Sequence, residues 1–173
     1  MYRATFGRRQ FCGEIGECLG QIVTVSETRP EDKGQVELSM VSPEPDLPVG
    51  GYALAFHGAP RYTGDLDMFV RPDSMNAQRI MSALKDFGFE SVGLTLADFE
   101  KPDNVIQLGV PPVRVDIVTS LTGISWESAF KNWVQGRYGD VQVHYIGREE
   151  FILNKRSIGR KKDLADIEAM GEE

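Results

Sequence analysis

Two aspartates placed one residue apart constrain this chain more than any other feature. Asp65 and Asp67 lie in the run DLDMFV, whose alternating pattern predicts a β-strand. Side chains two positions apart on a strand leave the same face, so both carboxylates point one way while Leu66 and Met68 point into a core. A buried strand does not need two carboxylates. The pair therefore indicates either a solvated sheet face or a cation site.

A third aspartate, Asp116, lies in the run VRVDIVTS, roughly fifty residues further along the chain. On a predicted strand Val115 and Ile117 share one face, and Arg114 and Asp116 share the other. If this strand and DLDMFV are neighbours, three carboxylates converge on one patch. Carboxylates repel one another, and oxygen ligands select hard cations such as Mg²⁺ or Mn²⁺. Taken alone, the Asp65–Asp67 pair and Asp116 are each better explained as solvated side chains, and it is the glycine pair upstream that favours a metal site.

A pair of glycines, Gly50 and Gly51, stands just before the predicted helix YALAFHG. Glycine lets a backbone approach a ligand closely, and the free N–H groups of a helix N-terminus attract phosphate. The structural alternative is a tight strand-to-helix turn that binds nothing. Arg61 and Thr63 flank the approach to Asp65, and Arg61 is either a phosphate ligand or an ordinary loop arginine.

The remaining pattern alternates helices with short strands. A helix MNAQRIMSALKDFGF is predicted with Ser74 as its cap, followed by strands NVIQLG and VRVDIVTS. Ser125 caps a predicted helix that ends at Gly136 and carries Trp126 and Trp133 on one face. A strand VQVHYI and two helices, REEFILNKRSIG and KKDLADIEAM, complete the chain. This order predicts an α+β (α/β mixed) fold with a small mixed β-sheet flanked by helices.

The N-terminal part of the chain has a weaker pattern. Residues 1–48 are predicted to be an atypical segment, either a hairpin built from QIVTVSE and QVELSMV or a poorly ordered stretch. The prolines of SPEPDLP predict a connector or an edge strand. Residues 49–173 are predicted to form the main domain.

Composition narrows the class of partner. The chain has 173 residues, a net charge of −7 and a pI near 4.9. An acidic chain lacks the basic footprint of a duplex DNA-binding protein, but a nucleotide or a short RNA end remains compatible with a local cationic cluster. Cys12 and Cys18 are the two cysteines, and the two histidines lie far from them in the sequence, so the four closely spaced ligands of a zinc site are missing. With no secretory signal and no membrane-spanning run in the sequence, we expect reduced thiols and a cytoplasmic protein without a membrane partner.

Three stretches together resemble a known superfamily. GGYALAFHGAPRYTGDLDMFV, VRVDIVT and NKRSIGRKKDLADIEAM are similar to the nucleotidyltransferase superfamily with the DNA polymerase β-type fold. Within it, the chain most resembles small bacterial nucleotidyltransferase-like proteins related to AbiEii-type toxins and minimal nucleotidyltransferase antitoxins. The resemblance covers roughly Val49 to Met170. One departure is the proline-rich lead-in to the glycines, which predicts a shortened or missing first strand.

The resemblance implies a set of site residues and a cofactor. Mg²⁺ or Mn²⁺ would be held by Asp65, Asp67 and Asp116, with Asp116 also helping to deprotonate the attacking hydroxyl. The nucleotide and its phosphates would meet Gly50, Gly51, Arg61, Thr63 and Lys162. Lys162 and Asp163 would belong to the C-terminal motif of the family. The structural alternative for that helix is a solvated amphipathic helix that buries Leu164, Ala165 and Ile167.

The activity implied is transfer of a nucleoside monophosphate from a nucleoside triphosphate to an acceptor hydroxyl. The acceptor would be a protein, an RNA end such as that of a tRNA, or a small molecule, and the setting a toxin–antitoxin system with a cognate partner protein. Two alternatives remain open at this point. One is a non-catalytic nucleotide-binding or antitoxin-like interaction module, and the other is a metal-dependent phosphohydrolase.

Overall fold

The computed structural model describes residues 2–4, 46–87, 89, 93–110, 113–138 and 141–172. The strands there are β1 (Tyr2–Ala4), β2 (Leu47–Pro48), β3 (Leu66–Phe69), β4 (Val105–Val110), β5 (Val113–Val118), β6 (Val134–Tyr138) and β7 (Val141–Tyr145). The helices are α1 (Gly50–Phe56), α2 (Ser74–Asp86), α3 (Leu96–Glu100), α4 (Trp126–Lys131), α5 (Arg148–Ile158) and α6 (Lys161–Ala169).

The fold is mixed α+β, as the sequence predicts. Five of the strands form one sheet in the order β1-β4-β5-β3-β2, and β6 and β7 form a separate antiparallel pair. Within the large sheet β3 runs parallel to β5 and β1 runs parallel to β4, while the other neighbours are antiparallel. The parallel pairing of β3 with β5 brings the two aspartate-bearing strands side by side.

A first hydrophobic core lies between one face of the large sheet and helices α2 and α3. Three strands each contribute two alternate apolar side chains, namely Leu66 and Met68, Ile106 and Leu108, and Val115 and Ile117. From the helices come Ala77, Ile80, Ala83, Leu84 and the fully buried ring of Phe99. Because side chains alternate along a strand, filling this face with apolar residues sends Asp67 and Asp116 to the other one.

A second core covers part of that opposite face. Phe69 points into it, two residues beyond Asp67 on the same side of β3. Helices α1, α4 and α5 and strand β7 supply most of the remaining members, which include Leu54, Trp126, Ala129, Val143, Tyr145 and Phe151. This face therefore changes from polar to apolar along β3, and the carboxylates lie at the polar end.

Three predicted boundaries are wrong. Helix α1 begins at Gly50 itself, so the glycines form its first turn and do not merely precede it. Helix α2 is capped by Asp73, not by Ser74, because the Asp73 carboxylate accepts a hydrogen bond of 2.9 Å from the backbone N–H of Asn76. The helix that begins after Ser125 ends at Lys131, well before Gly136.

The early end of that helix has a tertiary cause. Residues Val134–Tyr138 form β6 and pair with β7. A Cβ at Gly136 would lie 2.4 Å from Phe56 Cε2, so this glycine permits close packing against an aromatic ring and does not terminate a helix. The two tryptophans consequently separate. Trp126 packs at 5.0 Å against the ring of Phe69, whereas Trp133 meets His144 edge-on at 4.1 Å.

Parts of the N-terminal segment belong to the large sheet. Strand β1 pairs with β4, and β2, only two residues long, pairs with β3 at the opposite edge. The short β2 places Pro48 on an edge strand, where a missing N–H is tolerated. The predicted hairpin over QIVTVSE and QVELSMV, together with Cys12 and Cys18, lies outside the described residues.

None of the helices in the described part of the chain is both long enough and apolar enough to cross a membrane.

Candidate metal centre

The three aspartates predicted from the sequence meet in space. In the parallel pairing of β3 with β5, Asp67 lies directly opposite Asp116, and Asp65 immediately precedes β3. Each offers a carboxylate oxygen, and these three oxygens all lie within 4.8 Å of one another. Asp116 is buried, whereas Asp65 and Asp67 are partly exposed, so the cluster opens toward solvent on the Asp65 side.

Gly50 lies against this cluster. Its φ of +58° is in the left-handed region, and a Cβ built there would stand 2.0 Å from Asp67 Oδ2. The backbone N–H of Val49 also donates to the carbonyl of Asp67 at 2.9 Å. Any side chain at position 50 would therefore displace the Asp67 carboxylate. The sequence signal of this glycine has a direct structural reason: the turn must pass within contact distance of a cluster carboxylate.

Gly51 has a different neighbour. A Cβ there would lie 2.8 Å from the Cβ of Thr63, so this glycine lets the loop that leads to Asp65 pack on α1. The Thr63 hydroxyl donates to Asp65 Oδ1 at 2.6 Å and thereby orients that carboxylate. Helix α1 is seven residues long, which limits its dipole, and the phosphate site at its N-terminus stays a prediction.

Two further side chains contact the cluster. Arg114 donates from Nη2 to Asp65 Oδ2 and, at 3.0 Å, to Asp116 Oδ2, and its Nε lies 2.8 Å from Asp116 Oδ1. Gln107 lies across the β4–β5 pairing and donates from Nε2 to Asp116 Oδ2 at 3.1 Å. Asp116 Oδ1 is buried without a well-aligned hydrogen-bond donor. That oxygen is therefore ion-paired with Arg114 Nε but does not receive an aligned hydrogen bond.

The electrostatics of the cluster fit a cation. Burial, followed by the neighbouring charges of Asp65 and Asp116, raises the pKa of Asp67 to about 6, although Lys155 and Arg114 act in the opposite direction. Three carboxylates around one guanidinium leave an excess of negative charge. The donor set is oxygen only, which matches the preference of Mg²⁺ and Mn²⁺, and Asp65, Asp67 and Asp116 would hold such an ion.

Arg61 is held by a buried ionic network next to the cluster. Its Nε and Nη2 donate to the two oxygens of Asp166 at 2.7 and 3.0 Å. Lys155 Nζ is buried and lies 2.8 Å from both Asp163 Oδ1 and Asp166 Oδ2. Arg160 donates from Nε to Asp163 Oδ2 at 2.6 Å. Helices α5 and α6 are thereby linked to the loop that carries Thr63 and Asp65.

This network corrects the amphipathic alternative for α6. The helix buries Asp163, Asp166 and Ile167 and leaves Leu164 51% exposed. Acids face inward because Lys155 on α5 meets them there. Lys162 lies exposed on α6, and the described contacts include none between Lys162 and the carboxylate cluster.

Several residues of the site have no clear signal in the sequence. The alternation of β5 places Arg114 on the face of Asp116, but the pattern assigns it no contact. Gln107 becomes a neighbour only through the β4–β5 register. Lys155, Arg160 and Asp166 resemble ordinary surface charges on amphipathic helices, and only the packing of α5 on α6 reveals their pairing.

No protein-family model matches this sequence, and no curated protein matches it significantly.

Proposed function

We propose that this protein is a Mg²⁺- or Mn²⁺-dependent nucleotidyltransferase with the DNA polymerase β-type nucleotidyltransferase fold. The observation that carries the proposal is the meeting of Asp65, Asp67 and Asp116 within 4.8 Å, beside the positive-φ turn at Gly50. A carboxylate pair on one strand, a third carboxylate on its parallel neighbour and a side-chain-free turn at their rim form a coherent arrangement for binding a metal-complexed triphosphate.

Each residue has a role in the proposed reaction. Divalent ions, when bound, neutralise phosphate charge and stabilise the attacking and leaving oxygens. Asp65 and Asp67 would hold the ions, and Asp116 accepts the proton of the acceptor hydroxyl. The acceptor oxygen bonds to the α-phosphorus, the bond from that phosphorus to the β-phosphate oxygen breaks, and pyrophosphate leaves with the electron pair. Catalysis of this kind depends mostly on positioning and charge neutralisation.

The triphosphate would pass over the turn at Gly50 and Gly51 and alongside Thr63. Arg61 presents its Nε and Nη2 edge to Asp166, so any phosphate contact would use the other edge, whose Nη1 reaches the Tyr62 carbonyl. Lys162 supplies an exposed cation on α6. In line with the resemblance, we place the reaction in the cytoplasm and in a toxin–antitoxin setting, with a protein, a tRNA end or a small molecule as acceptor.

One observation favours a second candidate function. Arg114 already pairs with two of the three carboxylates. A cluster whose charge is partly compensated by its own arginine suits a non-catalytic nucleotide-binding or antitoxin-like module as well as an enzyme. The two candidates differ in whether a divalent cation enters the cluster.

A metal titration followed by a product assay tests the proposal. Mn²⁺ binding is measured for the wild type, for Asp67→Asn and for the charge-matched control Asp86→Asn, which lies on α2 across the sheet. Each protein is then incubated with labelled nucleoside triphosphates and a cell lysate. We expect Asp67→Asn to lose Mn²⁺ binding and label transfer, while Asp86→Asn retains both.

The products separate the candidate functions. Pyrophosphate release with a labelled acceptor supports nucleotidyl transfer, and orthophosphate release supports a phosphohydrolase. Nucleotide binding without turnover supports the non-catalytic module. Full Mn²⁺ binding and transfer by Asp67→Asn would refute the assignment of the metal centre.

A further inference from the structure

Arg114 occupies the space between two of the cluster carboxylates. Its Nη2 contacts both Asp65 Oδ2 and Asp116 Oδ2, and its Nε lies 2.8 Å from Asp116 Oδ1. A divalent ion bound by the same oxygens would have to share this volume with a guanidinium group. Like charges a few ångströms apart repel strongly where water is partly excluded. The arginine and the metal therefore cannot both occupy the cluster in the present arrangement.

The position of Arg114 makes it able to leave. It stands two residues before Asp116 on β5, so its stem shares the face of the cluster. Its side chain is 24% exposed, and the cluster opens toward solvent on the side of Asp65. The guanidinium can rotate outward about its side-chain bonds without any change in the sheet.

We propose that Arg114 is the internal counter-ion of the carboxylate cluster, which a divalent cation must displace before the site is loaded. This inference rests on the proposed metal-dependent function. In the metal-free protein, Arg114 keeps three crowded carboxylates together. Metal binding then costs the Arg114 ion pairs, so a metal alone binds weakly. An arriving triphosphate offers the displaced guanidinium new oxygen acceptors, which couples metal binding to nucleotide binding.

Mn²⁺ affinity without nucleotide tests the displacement. Free Mn²⁺ is followed by electron paramagnetic resonance in titrations of the wild type, Arg114→Gln, Arg148→Gln and Arg160→Gln. Arg148 pairs with Glu172 and has no described contact with the carboxylate cluster, so Arg148→Gln controls for the change in net charge. Arg160 pairs with Asp163 beside the cluster and controls for the local field. We expect the Kd for Mn²⁺ to fall about tenfold in Arg114→Gln, and by less than about threefold in either control.

Thermal unfolding provides a second readout that needs no turnover. In EDTA, Arg114→Gln should melt at a lower temperature than the wild type, because its carboxylates lose their counter-ion. Saturating Mn²⁺ should raise the Tm of this variant more than that of the wild type. If Arg114→Gln does not fold in EDTA, Arg114→Lys serves instead, since it keeps the charge but loses the two-pronged contact. For it we expect a gain in Mn²⁺ affinity of several-fold.

Each result decides the proposal. An unchanged or weakened Mn²⁺ affinity in Arg114→Gln or Arg114→Lys would show that the arginine positions the carboxylates for the metal and does not compete with it. Equal gains in Mn²⁺ affinity in Arg114→Gln and Arg160→Gln would mean that any nearby positive charge weakens Mn²⁺ binding. That result would overturn the proposal that the metal displaces Arg114. If the wild type and every variant fail to bind Mn²⁺, the proposed metal centre falls, and this inference falls with it. Wild-type binding without a specific gain at position 114 overturns this inference alone.

Discussion

Replacing the buried lysine of the ionic network should destabilise the fold in a pH-dependent way. The perturbation is Lys155→Met, which preserves most of the side-chain volume but removes the cation that lies 5.4 Å from the centroid of the Phe151 ring. It removes the Nζ that lies 2.8 Å from both Asp163 Oδ1 and Asp166 Oδ2. Both carboxylates are buried, so neither can regain full hydration when its partner is lost.

The size of the stability loss depends on the contacts that Asp163 and Asp166 keep in the variant. Removing one partner of a buried ion pair generally costs about 3–5 kcal/mol. Here Arg160 still contacts Asp163, and Arg61 still contacts Asp166 through two hydrogen bonds. The loss should therefore lie at the low end, about 3 kcal/mol at pH 7, which is a large fraction of the 5–15 kcal/mol typical of a domain.

The pH dependence has a definite sign. Burial by itself raises the pKa of Asp163, but the hydrogen bonds from Arg160 and Lys155 outweigh it and hold the pKa at about 2. A lowered pKa contributes stability above the ordinary aspartate pKa, and that stability is lost as the pH falls toward 2. In Lys155→Met the hydrogen bond from Lys155 no longer opposes the effect of burial, so the pKa of Asp163 rises and this carboxylate takes up a proton at a higher pH. The difference between the two proteins should be largest at pH 7 and shrink as the pH falls from about 4 toward 2.

Urea unfolding followed by tryptophan fluorescence at pH 7 and about pH 3 measures this difference. The double variant Lys155→Met with Asp163→Asn is the matched test, because it removes a buried charge that has lost one of its two cationic partners and returns Arg160, 57% exposed, to water. We expect it to recover part of the loss at pH 7. A loss below about 1 kcal/mol, or one that is equal at both pH values, would refute the reasoning that Lys155 neutralises buried charge.

Two other predictions concern Asp46, which immediately precedes β2, and Gly50, which lies against the carboxylate cluster. Burial raises the pKa of Asp46 to about 7, so its folded form binds a proton more tightly than the unfolded chain, and stability falls as the pH rises from about 4 to about 7. Asp46→Asn should remove that decline, a relative gain of up to about 4 kcal/mol in urea unfolding at pH 7.5, and parallel pH profiles would contradict it. Gly50→Ala should abolish Mn²⁺ binding, because the added Cβ would collide with Asp67 Oδ2. The control is Gly58→Ala, since Gly58 also has a positive φ, +97°, but has open space around it. This control should cost only about 1 kcal/mol of backbone strain and should still bind Mn²⁺. Equal Mn²⁺ affinity in both variants would argue against the close approach at position 50.

The strands that carry the aspartates were predictable because alternation along a strand depends on adjacent residues. Leu66 and Met68, and likewise Val115 and Ile117, had to share a buried face, which left the carboxylates of Asp65, Asp67 and Asp116 on the other. The mixed α+β class followed from the same local periods. The sequence also marked Gly50 as a glycine beside the site, but the reason for a glycine there, the close approach to Asp67, required coordinates.

The stretch WVQGRY shows where local reasoning failed. Its residues continue a helical pattern from Ser125, and Gly136 looks like a helix stop. Pairing with β7 and packing under Phe56 outweigh that preference, because strand pairing is stabilised by contacts that are distant in sequence. The same limit hid the inward-facing acids of α6, whose burial depends on Lys155 eight residues before Asp163.

By itself, then, the sequence determined which side chains share a face within each strand and helix, since those relations follow from backbone geometry over a few residues. It determined the candidate carboxylates and the glycine beside them on that basis. Tertiary structure alone decided that β3 and β5 are parallel neighbours with Asp67 opposite Asp116, and that Arg114 lies between the carboxylates. Strand order, register and ion pairing arise from the free energy of the whole packed chain, which no short stretch encodes.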